Sequence, residues 1–241
     1  MWTRKELKLR AKEVLRKNYW KAFLISIVIA IAECNSGSGG GGGSNRSAET
    51  LPSVLTDEVF LVILGIVVFI VIILIAAFRI FLGYPLEVGG RSFFIKSAQN
   101  EDSKKCFGFA FNGQNYLGIV GTMFRRGVQL FLWYLLLIIP GIVKSYTYRM
   151  VPYILADNPN IGSKEAIKLS NEMTYGHKFN MFILDLSFIG WYLLGILALI
   201  VGVLFVLPYV NATDAELYLA LRKDALEKGF CSNQDLLLEV D

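Results

Sequence analysis

Residues 59–78 read VFLVILGIVVFIVIILIAAF, twenty consecutive positions without a charge. At 1.5 Å per residue a helix of that length covers about 30 Å, the hydrocarbon thickness of a bilayer. Three further apolar runs, Ala22–Ala32, Gly127–Val143 and Leu186–Thr213, have 11, 17 and 28 residues. The last, taken with its flanks from Phe179 to Leu221, is too long for one crossing and suits two. A buried soluble core accounts for one such run, not four. Composition agrees. Apolar residues make up 54% and charged residues 18% of the 241, against roughly 45–50% and 25% in soluble domains. The mean hydropathy is +0.50. The 24 Lys and Arg against 20 Asp and Glu leave a net charge of +4, too weak a bias for a nucleic-acid binder. One His and three Cys exclude a Cys/His zinc cluster and a disulfide scaffold.

Before the first apolar run, Thr3-x-x-Glu6 is a capping box that opens a helix. Leu7, Ala11, Val14, Leu15 and Tyr19 follow at helical spacing, interleaved with Arg4, Lys5, Lys8, Arg10, Lys12, Arg16, Lys17 and Lys21. The pattern predicts a basic amphipathic helix over 1–18. It would lie on anionic headgroups and lead into a first membrane helix over 19–33. Glu33-Cys34 lacks the small residue that a lipoprotein cleavage site places before its cysteine, which argues against a processed signal. The tract 35–45, NSGSGGGGGSN, reads as a flexible loop, native or engineered. Thr56-Asp57-Glu58 then caps the second membrane helix.

The expected fold is all-α: a polytopic membrane protein of about six transmembrane helices in three hairpins, with amphipathic interfacial helices. The crossings fall at about 19–33, 57–82, 116–139, 142–157, 179–199 and 202–221. Pro140-Gly141 and a turn near Gly202 make two of the hairpins. Asp157-Asn158-Pro159-Asn160 ends the fourth crossing, and Ser163 caps a polar helix over 163–175 closed by Gly176. Residues 19–221 form the membrane domain and 222–241 a cytoplasmic tail. With the N-terminus inside, eighteen Lys and Arg fall on the inner side. Arg46 alone is outside, with Lys144 just inside the Pro140 hairpin. That asymmetry predicts both termini in the cytoplasm, with Arg91, Lys96, Lys104 and Lys105 in an inner loop. Arg125 and Arg126 mark the inner boundary of the third crossing. Cys106 and Cys231 then face a reducing compartment and no disulfide is expected.

Several stretches carry a resemblance: Ile139-Pro140-Gly141-Ile142, Lys144-Ser145-Tyr146, Pro152 to Pro159 (PYILADNP), Glu165 to Ser170 (EAIKLS), Gly176-His177-Lys178 and Leu184 to Trp191 (LDLSFIGW). Together they resemble an uncharacterised bacterial integral-membrane family, the domain-of-unknown-function family nine-seven-five. The likeness covers nearly the whole chain and is tightest in its second half. More distantly, the Pro-Gly hairpin and the Ser170 to Gly176 spacing are similar to the membrane domain attached to some glycerophosphodiester phosphodiesterases. The resemblance implies a six-helix module of the bacterial plasma membrane with no assigned catalytic residues.

A search for chemistry finds little. His177 has no second metal-ligating residue near it in sequence. No Gly-rich tract carries the Lys-Ser/Thr of a phosphate-binding loop, and no G-x-S-x-G elbow is present. The informative residues are charges at membrane depth, which are costly and face a bundle interior or a cavity. Arg149 lies about 12 Å from the inner end of its crossing, Asp185 about 9 Å and Glu216 about 7–8 Å, with Asn211 and Asp214 on the same helix as Glu216. These five form either a structural ion-pair cluster or a polar cavity, and Arg149 and Asp185 are expected to be neighbours. The expected function is non-enzymatic: binding lipid or amphipathic peptide, or scaffolding other membrane proteins. The alternative is a small transporter or channel-like protein with a polar cavity open to the cytoplasmic side. No cofactor, metal or nucleic acid is expected. The expected partners are the bilayer, its anionic headgroups, and a membrane protein or peptide.

Overall fold

The computed structural model describes residues 2–33, 57–103, 106–197 and 201–238. The Gly/Ser tract, Cys34 and the Thr56 cap lie outside that range. Among the described residues the chain is helical, with no strand: α1 Arg4–Glu33, α2 Asp57–Phe78, a π turn Arg79–Gly83, α3 Tyr84–Ala98, α4 Cys106–Ala110, α5 Gly113–Leu136, α6 Ile138–Thr147, α7 Val151–Asp157, α8 Ser163–Thr174, α9 Lys178–Leu197 and α10 Val201–Glu227. Two helical stretches, Val62–Ala98 and Lys178–Ile196, are long and apolar enough to cross a membrane.

Half of the capping box is formed: Glu6 N donates to Thr3 Oγ1 at 3.3 Å, while the Glu6 carboxylate accepts from that hydroxyl at 3.2 Å rather than from the Thr3 backbone N–H. The helix it opens does not stop at residue 18. No Gly or Pro interrupts the chain before Glu33, and one buried stripe (Leu7, Ala11, Leu15, Ala22, Ser26, Ile29) runs along its length. The spacing of that stripe keeps it on one face of a single helix. The basic residues therefore do not form a separate surface-lying helix. They continue the axis of the apolar half, and α1 packs along α10 and α3. Its contact with α3 is close because residue 90 is glycine: a Cβ there would come within 2.5 Å of the Ile29 side chain.

Prolines set the other irregularities. Pro85 has no N–H for the Phe81 carbonyl one turn back. The helix widens there into the π turn, and the Tyr116 hydroxyl donates to the orphaned Phe81 oxygen at 2.8 Å. Pro152 likewise cannot bond the Tyr148 carbonyl. The expected fourth crossing, 142–157, is split at Tyr148–Met150, where Val151 N donates to Tyr148 O instead. Of its two pieces, α6 has 10 residues and α7 has 7. The α5–α6 hairpin turns at Leu137 (φ −160, ψ 142), three residues before the expected Pro140. Pro140 sits in the first turn of α6, where its missing N–H costs nothing. Gly141 seats the Tyr134 ring, which a Cβ would meet at 2.5 Å.

The expected tail is not separate either. Residues 222–227 belong to α10. Beyond Gly229 the chain folds back, burying Leu236 and placing the Asp235 carbonyl 2.9 Å from Asn158 Nδ2. Helix α8 occupies Ser163–Thr174, close to the expected 163–175, with Gly162 as its N-cap.

Candidate functional site

Arg149 sits in the break between α6 and α7, released from helical geometry by Pro152. Its guanidinium faces two carboxylates. Nη1 and Nη2 donate to Asp185 Oδ2 and Oδ1 at 2.7 and 2.9 Å, and Nη2 also reaches both Asp214 oxygens at 2.8 and 3.0 Å. The Tyr146 hydroxyl donates to Asp185 Oδ2 at 2.9 Å. Arg149 and Asp185 are thus neighbours across α6–α7 and α9, and Asp214 closes the centre from α10. The fork-to-carboxylate geometry suits the planar guanidinium and is the strongest ion pairing that side chains make. The Asp185 side chain is 35% exposed, against 9% for Asp214, so the centre is open on the α9 side.

One turn along α10 from Asp214, Asn211 forms a second junction. Its Oδ1 accepts from Arg91 at 2.8 Å, and its Nδ2 donates to Ser26 at 3.0 Å. Arg91 also donates to the Tyr153 hydroxyl at 3.2 Å and lies over that ring. Helices α1, α3 and α10 meet at this one amide, and Arg91 carries the junction on to α7. Arg91 was expected in an inner loop; it is buried on α3. The neighbouring Gly89-Gly90 is the signal that could have placed it, since two adjacent glycines let helices approach and seal a polar residue between them. Two further pairs escape sequence reasoning. Arg126, expected at a boundary, lies 3.4 Å from buried Glu87. Asp157, expected only as a helix stop, accepts from Arg222 at 2.8 Å and from Tyr218 at 2.6 Å.

Glu216 does not join Arg149. It is two residues from Asp214, which turns it about 200° around the helix at 100° per residue. It faces α1 and lines a cleft of about 970 Å³ between α1, the end of α3, lower α10 and Leu238. Arg10, Glu13 and Arg16 line the same cleft, with Val14, Leu219 and Leu226 supplying apolar wall.

The basic residues of α1 divide. Arg4, Lys5, Arg10, Lys12 and Arg16 are exposed, while the side chain of Lys17 lies outside the described part. Lys8 turns inward, donating to Ser187 Oγ at 2.8 Å with its ammonium 4.3 Å from the centre of the Phe188 ring. Burial, then Arg4 and Lys12, lower its pKa. The Lys12 ammonium lies 5.9 Å from the Tyr209 ring centroid. Lys8 therefore holds α1 against α9, while Lys12 remains exposed near Tyr209. Among the described residues, no three of His, Cys, Asp and Glu are placed to hold a metal ion.

Residues 59–225 match the family described as protein of unknown function (DUF975). The chain belongs to this family. The DUF975 match runs from α2 through most of α10, so it contains Arg149, Asp185, Asn211, Asp214 and Glu216 and leaves α1 outside. No curated protein and no solved structure matches the chain, and the distant similarity to the membrane domain of glycerophosphodiester phosphodiesterases is not shown.

Proposed function

We propose that this DUF975 protein is a non-catalytic, multi-pass membrane protein that holds a lipid headgroup in the cleft between α1 and α10. In this reading the six apolar passages inferred from the hydrophobic runs are kept, with the fourth made by α6 and α7 together across their break. Both termini lie in the cytoplasm of a bacterial cell. The exposed Arg4, Lys5, Arg10 and Arg16 face anionic headgroups. The reading rests on one observation above others: Arg149 spends its fork on two carboxylates of its own fold. A centre whose charges are paired in this way fixes helix register and leaves its cation engaged within the fold, while the cleft beside Glu216 stays open. The same cleft would admit an amphipathic peptide, and the exposed apolar helices offer surface for scaffolding.

Native mass spectrometry of protein purified in mild detergent tests the reading. Retained phospholipid on the monomer is expected, and bare protein under conditions that keep it folded would overturn it. For topology, an impermeant thiol reagent applied to intact cells should spare half-exposed Cys231. Cys106 is 2% exposed and is silent in this test whichever side it faces.

A specific feature favours the transporter alternative. The helix is broken beside a buried charge, as discontinuous helices are at substrate sites. Flux of small ions through reconstituted vesicles, abolished by Arg149→Leu, would move the assignment to that class.

A further inference from the structure

The end of the chain is held to the fold by a single buried side chain. Helix α10 closes in a Schellman turn at Gly229 (φ 71), where Phe230 N donates to Ala225 O at 2.9 Å and Gly229 N to Leu226 O at 3.1 Å. The turn sends the following residues back toward Asn158 and the end of α3. The family match stops at residue 225, so this strap lies outside it. From Gly229 to Leu238, Leu236 alone is buried, at 0% exposure; Cys231 and Leu238 are half-buried and the others exposed.

The strap is closed on itself. Ser232 N and Oγ both donate to Asp235 Oδ2 at 2.8 Å, Asp235 N donates to Ser232 Oγ at 3.2 Å, and Leu238 N donates to Asn233 O at 2.9 Å. Across to the body, Asn158 Nδ2 donates to Asp235 O at 2.9 Å in an exposed position. Beside its anchor the strap does not fill its seat. A cavity of about 550 Å³ is lined by Asn233 and Leu237 from the strap and by Lys96, Gln99 and Arg222 from α3 and α10. Leu237 is held at φ 50, a left-handed conformation unfavourable for a bulky side chain. A segment that bonds its own backbone can leave without stranding polar groups. Its departure would expose one leucine, free one exposed amide and relax Leu237. Attachment of this kind belongs to the low-stability end of a fold.

We propose that the seat of Leu236 is a docking site for a short acidic, leucine-bearing segment of a partner protein, and that the strap is its resident occupant in cis. The partner's chemistry is read from the strap. Residues 229–241 carry Asp235, Glu239 and Asp241 and no Lys or Arg, and the anchor leucine follows an acid. Leu238 also lines the α1–α10 cleft, where Arg10, Arg16, Arg222 and Lys223 outnumber Glu13 and Glu216. An acidic segment therefore enters beside a cationic wall. The inference is independent of the lipid-binding reading.

Fluorescence anisotropy of a labelled peptide of residues 229–241, carrying Cys231→Ser, against full-length protein in detergent tests it. On the unmodified protein the peptide competes with a tethered copy, whose effective concentration is about millimolar for a short linker. Full-length Leu236→Glu, whose strap cannot seat, should bind the peptide at least about tenfold more tightly. A peptide carrying Leu236→Glu should lose about tenfold or more, the worth of a buried leucine, and a scrambled peptide should lose as much. Hydrogen exchange on the unmodified protein decides the matter should Leu236→Glu not fold. The Leu237 and Leu238 amides should exchange faster than those around Tyr218 in α10, and peptide at about millimolar concentration should speed them further while α10 is unchanged. Equal affinity of the two proteins, equal binding of the scrambled peptide, or strap amides that exchange only with global unfolding would overturn the proposal. A dimer in native mass spectrometry that Leu236→Glu dissociates would give the seat to the strap of a second copy, and would overturn the partner assignment.

Discussion

Helices α2 and α3 belong to one helical stretch and are built on opposite rules. Helix α2 carries no charge after Glu58, yet every described side chain from Val62 to Ile75 is exposed, Leu74 at 63%. It touches the rest of the protein chiefly through the π turn. Helix α3 carries Glu87, Arg91, Ser92 and Ser97, and all four are buried. In water the assignments would be reversed, because burial of apolar surface drives folding and unpaired charge resists it. The inversion makes sense when the solvent around α2 is hydrocarbon. There an apolar side chain gains nothing by hiding, and a polar one must find a partner inside. Pro85 marks the change of regime: it opens the π turn where the exposed apolar half ends and the packed half begins.

The comparison can be broken at several points. The largest effect is expected at the buried charges. Arg149→Leu strands Asp185 and Asp214, and the loss of a partner from a buried pair costs about 3–5 kcal/mol, read as a fall in Tm in detergent. Adding Asp185→Leu should recover part of that loss, and adding Asp214→Leu more. Strictly additive losses would mean that the three act independently. Next comes a charge in the middle of α2. Ile70→Arg should cost about 2.5–3.5 kcal/mol on insertion, seen as protein lost from the membrane fraction, whereas Ile70→Leu should pass unnoticed. Gly90→Val drives a side chain into Ile29 at the α1–α3 contact, and overpacking of this kind costs about 1–3 kcal/mol. The same exchange at Gly65, which has nothing within 4 Å, should leave thermal stability unchanged. The smallest effect is electrostatic and lies near the end of α10. Lys228, then His177, hold the Asp224 carboxyl below its ordinary value. Its contribution is therefore present above the usual carboxylate pKa and fades as pH falls through the lowered one. Because the side chain is 38% exposed, Asp224→Asn should change stability by less than about 1 kcal/mol and flatten that acid limb.

What the sequence disclosed follows from what a linear pattern can encode. The uncharged run 59–78 fixes α2 almost to the residue, because length against bilayer thickness is a one-dimensional question. The pairing of Arg149 with Asp185 is legible for the same reason: both lie at similar depth. Glu216 was grouped with them on depth alone, and depth says nothing of azimuth; two residues of rotation put it on the other face of α10. Arg91 was assigned to a loop because a charge after an apolar run looks like a boundary, while its partners Asn211 and Tyr153 are 120 and 62 residues away in sequence. The helix expected over 142–157 is broken at Tyr148–Met150 by Pro152, a residue visible throughout, whose effect falls on the carbonyl four positions earlier. The first 18 residues have an amphipathic pattern, and nothing local reveals that α10 occupies their apolar face.

The central claim is that α2 is exposed to lipid while α3 is packed. Spin labels on single cysteines at Ile70 and Ile95, in protein reconstituted into vesicles with the three native cysteines replaced, test it by collision with molecular oxygen and with a water-soluble nickel chelate. The account predicts high oxygen and low nickel accessibility at position 70, and low accessibility to both at position 95. High nickel accessibility at position 70, showing water around α2, would contradict it.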